Sequence, residues 1–313
     1  MKSSRTVQIV VNPNAGARRG SDLVTRLVAE LQRHGFVCSV EMTREKTAPP
    51  CWTQNGSALP DFLVCIAGDG TLDKIASGAM QHKVPIIFAP VGFGNIFARE
   101  FGYRADVDFI VGLLTEGRQI QVDVGIRTEQ PTGRQKVFLS TASYGFLEEV
   151  KKFAEGARRP HRRSARALWY LVAAGRLLLS TQPMTPLRVT VDGETVTEKG
   201  NIALVSNVPA YTGYLSLTPS ANPVDGKLDV CVISADSKWT LVLSLLNIWL
   251  TGSTNGKIEH RAGTSIQISG QPIADIPLPK GRYDERFSRA WSDSLTVIPR
   301  AITIIVPRND TRI

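Results

Sequence analysis

Cysteine and histidine are scarce in this chain. Its 313 residues hold four cysteines, Cys38, Cys51, Cys65 and Cys231, with no C-x-x-C or metal-ligand spacing. That excludes a disulfide scaffold and implies reduced thiols in a reducing compartment. The four histidines (His34, His82, His161, His260) stand singly, which argues against a zinc site. Long apolar runs are also missing. The two most apolar stretches, Ala167–Leu179 and Trp239–Leu250, fall short of the roughly 20 residues of a spanning helix, and Arg176 interrupts the first. Near the N-terminus only Val7–Val11 separates Lys2 and Arg5 from Asn12-Pro13, too short for a signal-peptide core. The expectation is a cytoplasmic protein without a membrane span.

Several nucleotide and hydrolase signatures are absent as well. There is no Gly-Lys-Ser/Thr, so no P-loop. Gly68-x-Gly70 and Gly92-x-Gly94 both lack the third glycine of the dinucleotide fingerprint, and no Gly-x-Ser-x-Gly occurs. What is present is ordinary globular composition, 42% hydrophobic and 21% charged, which excludes disordered and collagenous classes. Length predicts two domains, since single cores stop growing at roughly 250–300 residues. The net charge of +9 favours an anionic partner.

The first 125 residues alternate strand and helix signals. Val7–Val11, Phe36–Val40, Phe62–Ile66 and Val84–Ala89 read as strands. The spacing of Val24, Leu27, Val28 and Leu31 predicts a helix opened by Ser21 and closed by Gly35. Leu72, Ile75, Ala76 and Ala79 form a second stripe, and Val107, Ile110, Val111 and Leu114 a third. Residues 44–60 read as a long loop. This order predicts a parallel sheet wound with helices. After residue 125 short strands dominate: Val137–Ala142, Leu187–Val191, Asn201–Ser206, Leu228–Ile233, Ser265–Ile268, Ser294–Ile298 and Ile302–Val306. Asp192-Gly193 signals a hairpin. Helices are expected at about 164–180 and 238–250. The fold class is therefore α/β plus β: an α/β domain over 1–125 and a mostly antiparallel β domain over 126–313, the last segment being a candidate to return to the first domain.

The densest chemical signal is Gly68-Asp69-Gly70-Thr71 at a strand-to-helix turn. Glycines allow close approach of a ligand, and the helix start presents unpaired amides. Together they suit phosphate, and Asp69 beside phosphate suits Mg²⁺. The structural alternative is a tight turn in which Asp69 caps a helix. A further loop at Gly92–Asn95 follows the next strand, and another at Asn12–Gly20, with Arg18 and Arg19, follows the first. In a parallel sheet all three share the carboxyl edge, where such folds bind ligands.

Four blocks in order carry a resemblance. They are Val11-Asn12-Pro13-Asn14-Ala15-Gly16, Ala67-Gly68-Asp69-Gly70-Thr71-Leu72, Pro90-Val91-Gly92-Phe93-Gly94-Asn95 with Ala98-Arg99, and Pro219-Ser220-Ala221 through Asp225-Gly226-Lys227-Leu228-Asp229-Val230. On these the chain resembles the diacylglycerol kinase catalytic-domain superfamily, in particular soluble bacterial lipid kinases related to diacylglycerol, sphingosine and ceramide kinases. The resemblance implies an interdomain cleft and ATP-dependent, Mg²⁺-dependent phosphorylation of a lipid hydroxyl. It implies that Gly68, Asp69, Gly70 and Thr71 hold phosphates and metal, that Asn12 and Thr43 line the nucleotide site, and that Ala67, Gly92 and Asn95 belong to the cofactor-binding set. It also implies a structural Mg²⁺ at Asp225 with main-chain oxygens of Asn222 and Lys227, where a plain turn is the alternative. The family's Asp-Gly-Glu base motif has no clean copy. The matching place is Asp284-Glu285-Arg286, which makes Glu285 the candidate base and Asp284 a candidate helper, against a plain solvated charge cluster.

Other departures are Asp73-Lys74 for the family's Asn-Glu, Phe93 for its threonine and Ile96 for its aspartate. They keep open a nucleotide- or lipid-binding homologue without turnover. The Gly-Asp-Gly-Thr turn, shared with NAD kinases, keeps an NAD kinase reading open too, and the block at 219–230 speaks against it. Lys151, Lys152, Arg158, Arg159, Arg162, Arg163 and Arg166 form a basic run. It reads either as a solvated face or as an anionic-membrane contact, at about 1 kcal/mol per basic residue near the surface. No aromatic interleaving accompanies it, so nucleic acid is not expected. The expected partner is a lipid at a membrane surface, with the protein peripheral at the inner face.

Overall fold

A computed structural model of the chain describes residues 5–13, 15, 18–43, 59–156, 163–179, 184, 186–209, 211–212, 215–251, 258–270 and 291–308. The first half runs β1 (Thr6–Val11), α1 (Arg18–Arg33), β2 (Val37–Met42), β3 (Phe62–Ala67), α2 (Asp69–His82), β4 (Ile86–Pro90), α3 (Ile96–Glu100) and α4 (Val107–Glu116). The four strands pair in parallel in the order β4-β3-β1-β2. β3 is apolar at every position because helices cover both faces of a parallel sheet, and all six of its residues are buried. The expected loop at 44–60 lies mostly outside the described residues.

The second half runs β5 (Arg118–Gln130), β6 (Arg134–Phe138), β7 (Thr141–Gly145), α5 (Phe146–Gly156), α6 (Arg163–Leu179), β8 (Leu187–Val191) and β9 (Glu194–Ser206). It continues through β10 (Tyr211–Thr212), β11 (Leu215–Ser216), β12 (Leu228–Ser234), α7 (Lys238–Thr251), β13 (Ile258–Gly263), β14 (Ser265–Gly270) and β15 (Trp291–Val306). Strand pairs within this half are antiparallel. The α/β plus β architecture is therefore the one the sequence implies. Asp192 and Gly193 both take positive φ, 48° and 88°, as the hairpin between β8 and β9 requires.

One strand joins the halves. β15 pairs with β14 at its start and runs antiparallel to β5 along most of its length. Near its end Ile304 pairs in parallel with Ile86 of β4. The result is a continuous sheet, β13-β12-β9-β8-β14-β15-β4-β3-β1-β2.

Four boundaries differ from expectation. Helix α1 starts at Arg18, before Ser21, and its buried stripe is Leu23, Leu27 and Leu31. Val137–Ala142 is two strands, broken at Leu139-Ser140, where the chain leaves β5 for β9. Ser294–Ile298 and Ile302–Val306 are one strand with a register shift at Pro299-Arg300, Arg300 taking φ 49°. Strand β5 was not among the expected strands, although Ile120, Val122, Val124 and Ile126 alternate with Gln121, Asp123 and Gly125 along it.

Candidate active site

Parallel register brings four strand ends to one edge. Val11 lies opposite Met42 and Ile66, and Ala67 opposite Pro90. The residues that follow these ends, Asn12, Thr43, Gly68 and Gly92, therefore meet. Asn12 Nδ2 donates to Thr71 Oγ1 at 2.8 Å, tying the first loop to α2. The Thr43 amide donates to the Val11 carbonyl at 2.8 Å, which seats Thr43 beside Asn12. Ala67 is buried, and its carbonyl accepts from the amides of Val91 (2.9 Å) and Gly92 (3.2 Å). Its contribution is to lock two loops together.

Gly68 and Gly92 pack backbone to backbone. A Cβ on Gly92 would sit 2.6 Å from Gly68 Cα, and one on Gly68 would sit 3.2 Å from Gly92 Cα. No side chain can be inserted there without parting the loops. Gly70, by contrast, faces open space. Helix α2 begins here with no side-chain cap at Gly68. The Thr71 and Leu72 amides donate to the Gly68 carbonyl at 3.0 and 3.1 Å, and the open helix start before them is of the kind that suits an anionic ligand.

The Asp69 carboxylate serves α3. Oδ2 accepts from the Ile96 amide at 3.2 Å and Oδ1 from the Phe97 amide at 3.3 Å. Asp69 therefore caps α3, while α2, the helix that its own turn opens, has no side-chain cap. Burial pushes the Asp69 carboxyl up, and the backbone amides of Ile96, Phe97 and Asn95 oppose it. Asn95 is buried with φ 50° and donates Nδ2 to the Gly92 carbonyl at 3.0 Å. Its Oδ1 is buried and has no hydrogen-bond donor.

Sequence reasoning noticed Asp73 only as a departure. It lies one helical turn beyond Asp69, and its Oδ1 accepts from the Leu139 amide of the second half at 2.9 Å. Burial pushes its carboxyl up to about 7, with Asp69 adding to the rise and Lys151 of α5 opposing it. Phe93 stacks on Tyr170 of α6, with ring centroids 6.0 Å apart and planes 6° from parallel. The glycine edge therefore touches the second half at two points.

Asn222, Asp225 and Lys227 form an exposed turn before β12, away from the glycine loops in sequence. Asp225 Oδ1 accepts from the Lys227 amide at 2.9 Å, and Asn222 Oδ1 from the Val224 amide at 3.2 Å. The neighbouring Gly226 amide donates to buried Asp123 Oδ2 at 2.6 Å, and Asp123 Oδ1 accepts from the Arg300 amide at 2.7 Å. Asp123 escaped the sequence reading. Its signal was a charge set between Val122 and Val124 in an apolar run. Asp284 and Glu285 lie outside the described residues, as do the side chains of Arg18 and Arg19. Among the described residues no group of three or more His, Cys, Asp or Glu side chains gathers for a metal.

The diacylglycerol kinase catalytic domain family model matches residues 6–126. The YegS C-terminal NAD kinase beta sandwich-like domain model matches residues 140–306. A diacylglycerol kinase of Mycobacterium tuberculosis (strain ATCC 25618 / H37Rv) is 26% identical over 263 residues, covering 80% of this chain and 78% of that one. A diacylglycerol kinase of Staphylococcus carnosus (strain TM300) is 22% identical over 236 residues, covering 73% and 72%. A crystal structure of a diacylglycerol kinase from Bacillus anthracis str. Sterne superposes with a TM-score of 0.68 at 20% identity, covering 98% of this chain and 99% of that one.

Proposed function

This chain belongs to the diacylglycerol kinase catalytic-domain superfamily, and on that premise we propose that it transfers the γ-phosphate of ATP to a lipid hydroxyl with Mg²⁺. The observation that carries the reading is the packing of Gly68 against Gly92 beneath the uncapped start of α2, with Asn12 pinned to Thr71. It forms a backbone cradle for phosphate. The relatives named above carry the kinase activity in their names, which supports a lipid acceptor.

The phosphates are assigned to the backbone of Gly68 and Gly70 and to the Thr71 hydroxyl, which accepts from Asn12 and keeps its proton to donate, and the nucleoside side to Asn12 and Thr43. Asn95 offers its unpaired Oδ1 as an acceptor at the edge of the cradle. The carboxylate set suits Mg²⁺. Both Asp69 oxygens accept backbone amides at the start of α3, and the lone pairs that a carboxylate has beyond these match a cation that takes one or two carboxylates plus phosphate oxygens. When bound, the ion neutralises phosphate charge during transfer. At the second site the donors are Asp225 and the carbonyls of Asn222 and Lys227. These hard oxygens fit a hydrated cation, and burial together with the Asp225 charge pushes the nearby Asp229 carboxyl up, a repulsion a cation would relieve. Glu285, with Asp284, is proposed to take the hydroxyl proton, on the resemblance of its segment to the family's base motif. Positioning and charge stabilisation do the rest.

The test is transfer of label from γ-labelled ATP to diacylglycerol, ceramide and sphingoid bases. A labelled lipid that disappears with Glu285→Gln is the expected result. No labelled lipid of any class, or NADP formed from NAD, overturns the reading.

A further inference from the structure

The three most exposed large apolar side chains among the described residues are Leu179 (75%), Trp239 (64%) and Leu243 (63%), and all three stand on α6 and α7. They are not scattered. Trp239 and Leu243 are four residues apart and share the outer face of α7. Val172, Arg176 and Leu179 are exposed at helical spacing and share the outer face of α6. The two helices are tied where Lys238 Nζ donates to the Leu177 carbonyl at 2.8 Å, which sets Leu179 and Trp239 on either side of one junction. The inner faces are already occupied, since Ala173, Leu177, Leu178 and Leu241 join one buried cluster. The outer faces are therefore surplus to folding.

We propose that these outer faces of α6 and α7 seat the protein on an anionic bilayer, with Trp239, Leu243 and Leu179 entering the headgroup region. The charge pattern selects a bilayer. Neither helix contains an acidic residue, α6 carries Arg163, Arg166 and Arg176, and the chain as a whole carries +9. Arg176 stands between Val172 and Leu179 on the exposed face, the mixture that suits a helix lying in a negatively charged interface. A tryptophan at the rim matches the preference of its ring for that layer. No helix among the described residues is long and apolar enough to cross a membrane, so this is contact along the surface.

The inference rests on the lipid-kinase reading for its purpose and on the exposed faces for its geometry. Tyr170, on the same α6, stacks on Phe93 of the glycine edge. The helix that meets lipid on one side thus touches the proposed nucleotide loop on the other, which gives a lipid alcohol a short route to the phosphate.

Flotation of the full chain with phosphatidylglycerol–phosphatidylcholine vesicles, without nucleotide, tests the surface. The wild type is expected to float. Trp239→Glu with Leu243→Glu, and separately Leu179→Glu, are each expected to weaken partition by roughly tenfold or more. Val37→Glu, at an exposed apolar site on β2, is expected to float as the wild type does. A wild type that stays in solution, or charge variants that float unchanged, overturns the proposal. So does a wild-type dimer that the charge variants dissociate, because the face then belongs to a second copy. Kinase assays separate this from the parent reading. With docking right, the charge variants lose activity on long-chain lipid in vesicles but keep it on a short-chain soluble acceptor. If no form labels any lipid, the kinase reading fails while the flotation result still decides the surface.

Discussion

Asp69 and Asp73 sit one helical turn apart and do different work. Asp69 holds the first amides of α3 with both oxygens, a task Asn95 cannot perform at the cap position because it takes φ 50° and turns its side chain to Gly92. Asp69→Ala is expected to cost about 1 kcal/mol in urea unfolding through the lost cap. It is also expected to lower kcat/KM by roughly a hundredfold or more, as loss of a group serving the transferring phosphate would. A variant with normal turnover would leave Asp69 as a cap and nothing else. For Asp73 the prediction concerns pH. Its carboxyl is raised to about 7 in the folded chain, chiefly by burial, so between about pH 4 and 7 the folded state keeps a proton that the unfolded chain has released. The stability this contributes is complete at acid pH and is lost as pH rises through 7. Asp73→Asn, which cannot ionise, should therefore be more stable than wild type at pH 8 by roughly 4 kcal/mol, at about 1.4 kcal/mol for each pH unit of the rise, with the gain vanishing below about pH 4. Urea melts at pH 4, 6 and 8 would show this. A gain that is the same at all three values refutes it.

At the scale of elements, the glycine loops separate two uses of the same residue type. Gly92 is required by packing, because an added Cβ would meet Gly68 Cα at 2.6 Å and Asn95 Oδ1 at 2.8 Å. Gly92→Ala is expected to part the loops and to cost about 1–3 kcal/mol, the range for overpacking. Gly70 meets nothing within 4 Å. Gly70→Ala is expected to leave the melting midpoint within about half a kcal/mol of wild type while weakening ATP binding, because the new methyl occupies the space proposed for phosphate. Calorimetric titration of ATP alongside thermal melts would resolve the pair. Equal effects on both readouts for Gly70→Ala would mean that the cradle is structural only.

For the whole molecule the decisive residue is Asp123. Its buried carboxylate binds the amide of Gly226 in the turn before β12 and the amide of Arg300 at the register shift of β15. Its own amide donates to the Pro223 carbonyl at 2.7 Å, and its carbonyl accepts from Asn207 Nδ2 at 2.9 Å. One residue of β5 thus fastens the proposed metal turn to the strand that joins the two halves. Asp123→Asn replaces an acceptor by a donor facing amide donors. It is expected to cost about 2–4 kcal/mol, since hydrogen bonds to charged groups are the stronger ones and the partners would be left buried. Chemical denaturation measures it. A loss under about half a kcal/mol would show that the junction does not depend on this carboxylate.

The sequence by itself determined the alternation of strands and helices, the glycine turns and the hairpin at Asp192-Gly193. Each is written in local periodicity or in residues whose backbone freedom is local. It also placed Asn12, Gly68 and Gly92 after the first, third and fourth strands, which in a parallel sheet means one edge. The tertiary structure alone decided that Asp69 reaches across to α3, that Asp73 meets Leu139, that Phe93 lies on Tyr170 and that Asp123 fastens β15. These contacts join residues 27, 66, 77 and 177 positions apart. No periodicity records such pairs, because their geometry is set by how the sheet stacks its helices and where one long strand shifts register.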